Sequence, residues 1–301
     1  LGGVVYGLIE SPRLGFSHPL VVATLLGGAV ALLIFLWNEA HSRNPMVPLG
    51  LFRSRNFAGA NLITLLLYAA LGSLFFFLAL NLIQVQRYSA TAAGASLLPF
   101  ILIMFVLSRW SGGLVDRFGA RLPLVIGPFI AAGGFVLFAL PGVGARYFSS
   151  FLPAVLVLGF GMAVTVAPLT TTVMNSVHQE QVGVASGINN AVSRTAGLLA
   201  IAVFGVVMLV WFSGALNRRL DQFGVDEGVK QSLLEQRVKL GGIELPAGLD
   251  ENSKETITAA IDGAFVEGFR VLMLISAALA AASGLIAWAV VRSHSRATGQ
   301  H

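Results

Sequence analysis

Seven long apolar runs constrain this chain of 301 residues more than anything else in it. They span Leu20–Trp37, Phe57–Ile83, Thr91–Val115, Leu122–Leu140, Phe151–Met174, Ile188–Phe212 and Phe265–Val291, and a partial run, Leu1–Ile9, precedes them. Each full run reaches the roughly 18 residues that a helix needs to cross hydrocarbon. None alternates polar and apolar residues at period two, which excludes the strands of a membrane barrel. Inside lipid, only a helix satisfies all of its own backbone N–H and C=O groups. The runs therefore predict an all-α integral membrane bundle of about seven full transmembrane helices plus one partial. Charge content agrees. Charged residues make up 11% of the chain, against roughly 25% in soluble domains, too few to cover a water-soluble fold of this size.

Prolines mark the helix ends. Pro19, Pro123 and Pro153 fall in predicted first turns, where a missing N–H does no harm, and Pro141-Gly142 ends a run. Pro168 lies inside a run, with Gly159 and Gly161 upstream, so a bend is expected there. The chain opens at Leu1 within an apolar stretch and shows no signal-peptide pattern, so the expectation is a piece of a longer protein. The net charge of +5 does not indicate a nucleic-acid partner, because the basic residues are scattered among loops without a stripe. Cysteine is absent, and His18, His41, His178, His294 and His301 all fall in loops or tails, so no metal site, cofactor or catalytic constellation is expected.

Orientation follows from Lys and Arg in short loops. On alternate sides, Arg43, Arg53, Arg55, Arg117, Arg121, Arg292 and Arg296 outnumber Arg13, Arg87 and Arg146. The first set is predicted to be cytoplasmic, together with the C-terminus. Residues 213–263 read as a long polar outer loop with a short amphipathic helix around Leu233 and Leu234, and a second helix starting after Asn252 and running into the last span.

The loop Gly112-Gly113-Leu114-Val115-Asp116-Arg117-Phe118-Gly119-Ala120-Arg121 resembles the cytoplasmic loop signature of the major facilitator superfamily, except that Ala120 stands where a basic residue is common. Ala167–Met174 followed by Gly183–Arg194, and Asn44-Pro45-Met46-Val47-Pro48 before Leu51-Phe52-Arg53, are similar to the C-terminal half of the fourteen-helix drug:proton antiporters, the EmrB/QacA type. The resemblance implies two six-helix halves rocking about a central cavity, of which this chain holds the second. It divides the chain into 1–56 (the end of one helix, a second helix and an inter-half cytoplasmic loop), 57–291 (a six-helix bundle with the outer loop 213–263) and 292–301 (a cytoplasmic tail). It also implies that the main proton-coupling acids lie in the other half.

Several residues are candidates for function. The resemblance makes Gly112, Asp116, Arg117, Gly119 and Arg121 a conformational latch, in which the Asp116 carboxylate meets a neighbouring helix N-terminus and basic groups; a solvated turn is the bland alternative. Physically, Gly112 would allow close helix approach and Gly119 a left-handed turn. Arg109 either snorkels to the headgroups or faces a cavity, and Asn189, Asn190 and Arg194 serve either as interhelical glue or in gating. Asn61, Tyr68, Asn81 and Gln84, beside Phe75, Phe76 and Phe77, line either a cavity or lipid. Glu267 and Arg270, three apart on one helix face, form either a neutralising pair or a proton-linked one. Gly183 and Gly187 offer one small-residue crossing motif.

The resulting expectation is a secondary transporter of the plasma (inner) membrane, a proton-coupled exporter of lipophilic or cationic drug-like compounds and not an enzyme. Its partners are the lipid bilayer, a small-molecule substrate, protons and the missing N-terminal half. The alternatives are a non-transporting sensor or structural membrane protein derived from a transporter, or a membrane-embedded enzyme.

Overall fold

A computed structural model describes residues 1–42 and 45–291. The expectations placed on Arg43, Asn44 and the 292–301 tail, with Arg292, Arg296, His294 and His301, lie outside those residues. Among the described residues the chain is built of helices and turns without strands, and seven helical segments are long and apolar enough to cross a membrane.

The first two helices make a hairpin. α1 (Gly2–Leu14) extends the partial run by more than a turn, and α2 (Pro19–His41) starts where the His18 ring accepts from the Leu20 N–H at 3.3 Å. Glycines let the pair touch: a Cβ on Gly28 would stand 2.9 Å from the backbone N of Val4. Most of α2 faces outward, with Leu26, Leu33 and Trp37 exposed. A helix with an apolar surface on nearly all sides needs lipid or a protein partner.

Ser54 caps α3 (Arg55–Leu80), which runs into a π-helical turn at Asn81–Val85. α4 (Ala90–Ala95) and α5 (Leu98–Gly112) share the third apolar run, and α6 (Leu114–Phe118) carries Asp116. α7 (Arg121–Phe138) stops just before Pro141-Gly142. α8 (Leu152–Asn175) follows a π-helical turn at Tyr147–Phe151 and passes through Pro168 without interruption. The chain closes with α9 (Val182–Gln222), α10 (Glu227–Glu235) and α11 (Glu251–Val290).

The expected outer loop is shorter than its polar sequence suggested. α9 stays helical to Gln222 and α11 begins at Glu251, leaving 223–250 as the connecting cap. Leu216 and Leu220 of α9 and Ile257, Ala260, Ile261 and Ala264 of α11 are buried. These apolar positions recur at helical spacing, so two amphipathic helix ends pack together within a polar-looking segment. The amphipathic helix expected at Leu233 forms as α10, with Leu233 fully buried.

α11 is central and packs against α3, α7 and α9; α7 packs on α8, α3 on α9, and α5 on α8. Lipid removes most of the hydrophobic drive between helices, so close approach and dispersion hold such a bundle. A Cβ on Gly72 would stand 2.7 Å from the Cα of Gly197 where α3 crosses α9. One on Gly161 would stand 2.8 Å from the Gly127 carbonyl where α8 crosses α7. The Gly183–Gly187 motif makes no such crossing, since both glycines face open space. Spacing alone did not reveal which face of α9 meets a neighbour.

Candidate functional site

The bundle has two polar ends. One carries Asp116, the start of α7 and the end of α11; the other carries the 223–250 cap, the end of α3 and the 139–147 turn. Between them sits a small polar cluster on α3 and α9. Asn189 donates from one amide nitrogen to Asn61 Oδ1 at 3.2 Å and to Thr64 Oγ1 at 2.7 Å. Asn61 and Thr64 in turn donate to the backbone carbonyls of Phe57 and Ala60, each at 2.9 Å. Asn61 and Thr64 are buried, so the cluster satisfies groups that would otherwise be stranded. The structure thus joins two of the sequence candidates, Asn61 and Asn189, and adds Thr64. Asn190 and Arg194 are exposed on another face of α9. Tyr68 is half-buried.

At the Asp116 end, Gly119 takes the left-handed backbone expected of it, with φ +73°. Gly112 does not bring helices together, since nothing lies within 4 Å of where its Cβ would be. α5 ends there with an open flank. Asp116 and Arg117 are exposed, and their side chains make no ion pair or hydrogen bond with the described residues. The Asp116 carboxylate accepts no hydrogen bond from a neighbouring helix N-terminus among the described residues. Arg121 does make a contact: it donates to the Trp288 carbonyl at 2.6 Å and lies 5.7 Å over the Trp288 ring. This ties the loop to the last turn of α11, where the helix dipole favours a cation. Arg109, on the exposed face of α5, has no polar partner among the described residues, as a snorkelling side chain would not.

At the cap end the pairing is denser, and it corrects one expectation. Glu267 and Arg270 share a helix face but do not pair. Glu267 takes Arg219 at 2.6 Å and Arg218 at 3.1 Å from α9, and Arg270 donates to the Ala139 carbonyl at 2.8 Å at the end of α7. The neighbouring helices offer better partners than a residue one turn away. Two further fasteners were not anticipated. Arg87 grips Asp262 of α11 through two hydrogen bonds of 3.0 and 2.9 Å. Gln86 donates to the Asn81 side chain and to Gly142, and accepts from Ala145. Asn81 therefore serves this turn and not a cavity. Arg87 holds φ +61° just after the Phe57–Ile83 run, a conformation that costs a non-glycine residue roughly 1–2 kcal/mol. The charge-assisted contact of Nη2 with both oxygens of buried Asp262 offsets that strain. A lone acid in the apolar stretch of 259–266 was the available sequence signal.

Comparison with known proteins places these features. The sequence profile of the Major Facilitator Superfamily matches residues 1–201. The chain is 30% identical over 302 aligned residues to the "Multidrug resistance protein Stp" of Mycobacterium tuberculosis, covering 96% of this chain and 54% of that protein. It is 27% identical to the "Tetracenomycin C resistance and export protein" of Streptomyces glaucescens, over 94% of this chain and 53% of that one. The chain therefore spans about half the length of these relatives. Among solved structures, a bacterial homolog of the human lysosomal transporter Spinster, inward-facing and unoccupied, superposes with a TM-score of 0.58 at 15% identity, over 99% of this chain and 67% of that one. That likeness is one of fold.

Proposed function

This chain belongs to the Major Facilitator Superfamily, and from that premise we propose that it forms the C-terminal half of a proton-coupled exporter of lipophilic or cationic drug-like compounds. It is a multi-pass membrane protein that works in a bilayer on a small molecule, and its family and fold point to transport rather than to enzymatic turnover. The observation that carries the finer reading is the 30% identity over 96% of the chain to a multidrug resistance protein. Since the chain covers 54% of that relative, the proposed whole includes a second, N-terminal half that carries the main proton-coupling acids. The two halves would rock about a midplane cavity. We place the protein in the plasma membrane with the Asp116 end and the C-terminus in the cytoplasm.

In this reading α3 and α9 move as one body, held by Asn61, Thr64 and Asn189. Pro168, with Gly159 and Gly161, is the point at which α8 flexes. Asp116, unpartnered here, finds its helix N-terminus in the opposite conformational state, when the Asp116 end closes. The test uses the full-length protein in inverted vesicles and a lipophilic cationic dye. Asp116→Asn is expected to lower proton-driven dye transport at least tenfold while leaving membrane insertion and dye binding intact. Transport at the unmutated rate would remove Asp116 from the mechanism, and dye transport that ignores the proton gradient would remove the coupling.

A further inference from the structure

A cavity of about 540 Å³ separates α1 from α3 near the cap end of the bundle. Its walls come from the second half of α1, the last turns of α3 and the middle of α9, and Val238, Lys239 and Leu240 of the cap roof it. A second cavity of about 250 Å³ adjoins it along α9, sharing Pro12, Val206 and Leu209. Together they form one elongated crevice, within the size range of sites for small organic molecules. It is distinct from the Asn61–Thr64–Asn189 cluster and from the Asp116 loop.

The mouth of the crevice is polar, which calls for a ligand with a polar head. The rim is also cationic. Arg13, Lys239 and Arg237 line it, against the single acid Glu10. Glu10 engages Arg13 at 2.8 Å and Glu244 engages Lys239 at 3.2 Å, while Arg237 is exposed with no ion pair or hydrogen bond to the described residues. Below the rim the wall is apolar, formed by Phe76, Leu80, Val206 and Leu209.

We propose that this crevice binds an anionic phospholipid, its phosphate among Arg237, Arg13 and Lys239 and an acyl chain along α9. The phosphate accepts from the guanidinium and ammonium groups of the rim. Complementary charge selects the head, and the apolar wall requires the chain. The bound lipid wedges the α1–α2 hairpin against the bundle, so the site is independent of what the protein exports.

The probes are phosphatidylglycerol and phosphatidylcholine of identical chains, offered to the purified full-length protein and read by native mass spectrometry. Phosphatidylglycerol is expected to be retained at least tenfold over phosphatidylcholine. Neutralising the rim with Arg13→Gln, Arg237→Gln and Lys239→Gln should abolish that preference and leave residual binding of both lipids. Gly205→Phe should lower retention of both, since Gly205 lines the apolar wall with open space around its Cβ position. On the unmutated protein, a phosphatidylglycerol with a photoactivatable acyl chain should label α9 between Ile201 and Leu209. Equal retention of the two lipids, labelling confined to other helices, or glycerol phosphate binding as tightly without its chains would each overturn the proposal.

Discussion

Asn189 illustrates how much one amide does in a membrane interior. Its two donated bonds reach Asn61 and Thr64, and both acceptors are buried where water cannot replace the donor. Interhelical hydrogen bonds between membrane helices average about 0.6 kcal/mol each. Asn189→Ala is therefore expected to destabilise the fold by roughly 1 kcal/mol, read as a lowered denaturation midpoint in detergent, while Asn190→Ala, at an exposed position, leaves the midpoint unchanged. The sequence marked both asparagines, and nothing in a single chain separates them. The difference is a rotation of about 100° around α9, which only the packing of α3 assigns. Glu267 and Arg270 teach the same point. Spacing made them neighbours, but Arg219 at 2.6 Å and the Ala139 carbonyl at 2.8 Å are the partners they take.

Helix-on-helix contacts in this bundle run through glycines that no motif announced. Gly161 meets α7 so closely that a methyl group there would press into backbone at 2.8 Å, and backbone cannot swing aside as a side-chain tip can. Gly161→Ala should cost about 1–3 kcal/mol, whereas Gly187→Ala, with nothing within 4 Å, should be neutral or slightly stabilising through helix propensity. Thermal melts of the two variants side by side test this, and a larger loss at Gly187 would contradict the packing. At the cap end, α11 starts on Asp250, whose carboxylate accepts from the Ser253 N–H at 3.3 Å. Hydrogen bonding from Ser253, side chain first and backbone next, holds the Asp250 carboxyl below its usual range. A depressed carboxyl stabilises the fold fully above the unfolded value of about 3.9 and loses that contribution as pH falls through the lower folded value. Amide exchange in the first turn of α11 should accelerate on acidification through that window, and Asp250→Asn should flatten the dependence because the amide caps without titrating.

At the scale of the whole molecule, the polar fastening among the described residues is lopsided. The cap end carries Arg87–Asp262, Arg218 and Arg219 with Glu267, and Arg270 on Ala139, while at the Asp116 end Arg121 reaches Trp288 and Asp116 stays unpaired among the described residues. The two ends should also face opposite sides of the membrane. The chain contains no cysteine, so single cysteines can be placed without background. An impermeant thiol reagent added to intact cells should label Glu235→Cys and spare Asp116→Cys, with the reverse in inverted vesicles. Labelling of both from one side would contradict the topology.

The long apolar runs determined that this chain is a helical membrane bundle, because lipid leaves the backbone no other way to satisfy itself. They located the spans, the proline-marked ends and the left-handed turn at Gly119 for the same local reason, since each depends on residues adjacent in sequence. Tertiary structure alone decided the pairings. Arg87 and Asp262 stand 175 residues apart, and Gly72 and Gly197 are as invisible to local reasoning. A helix surface offers several faces of similar composition, and which of them meets a neighbour is fixed by how all the helices fit at once.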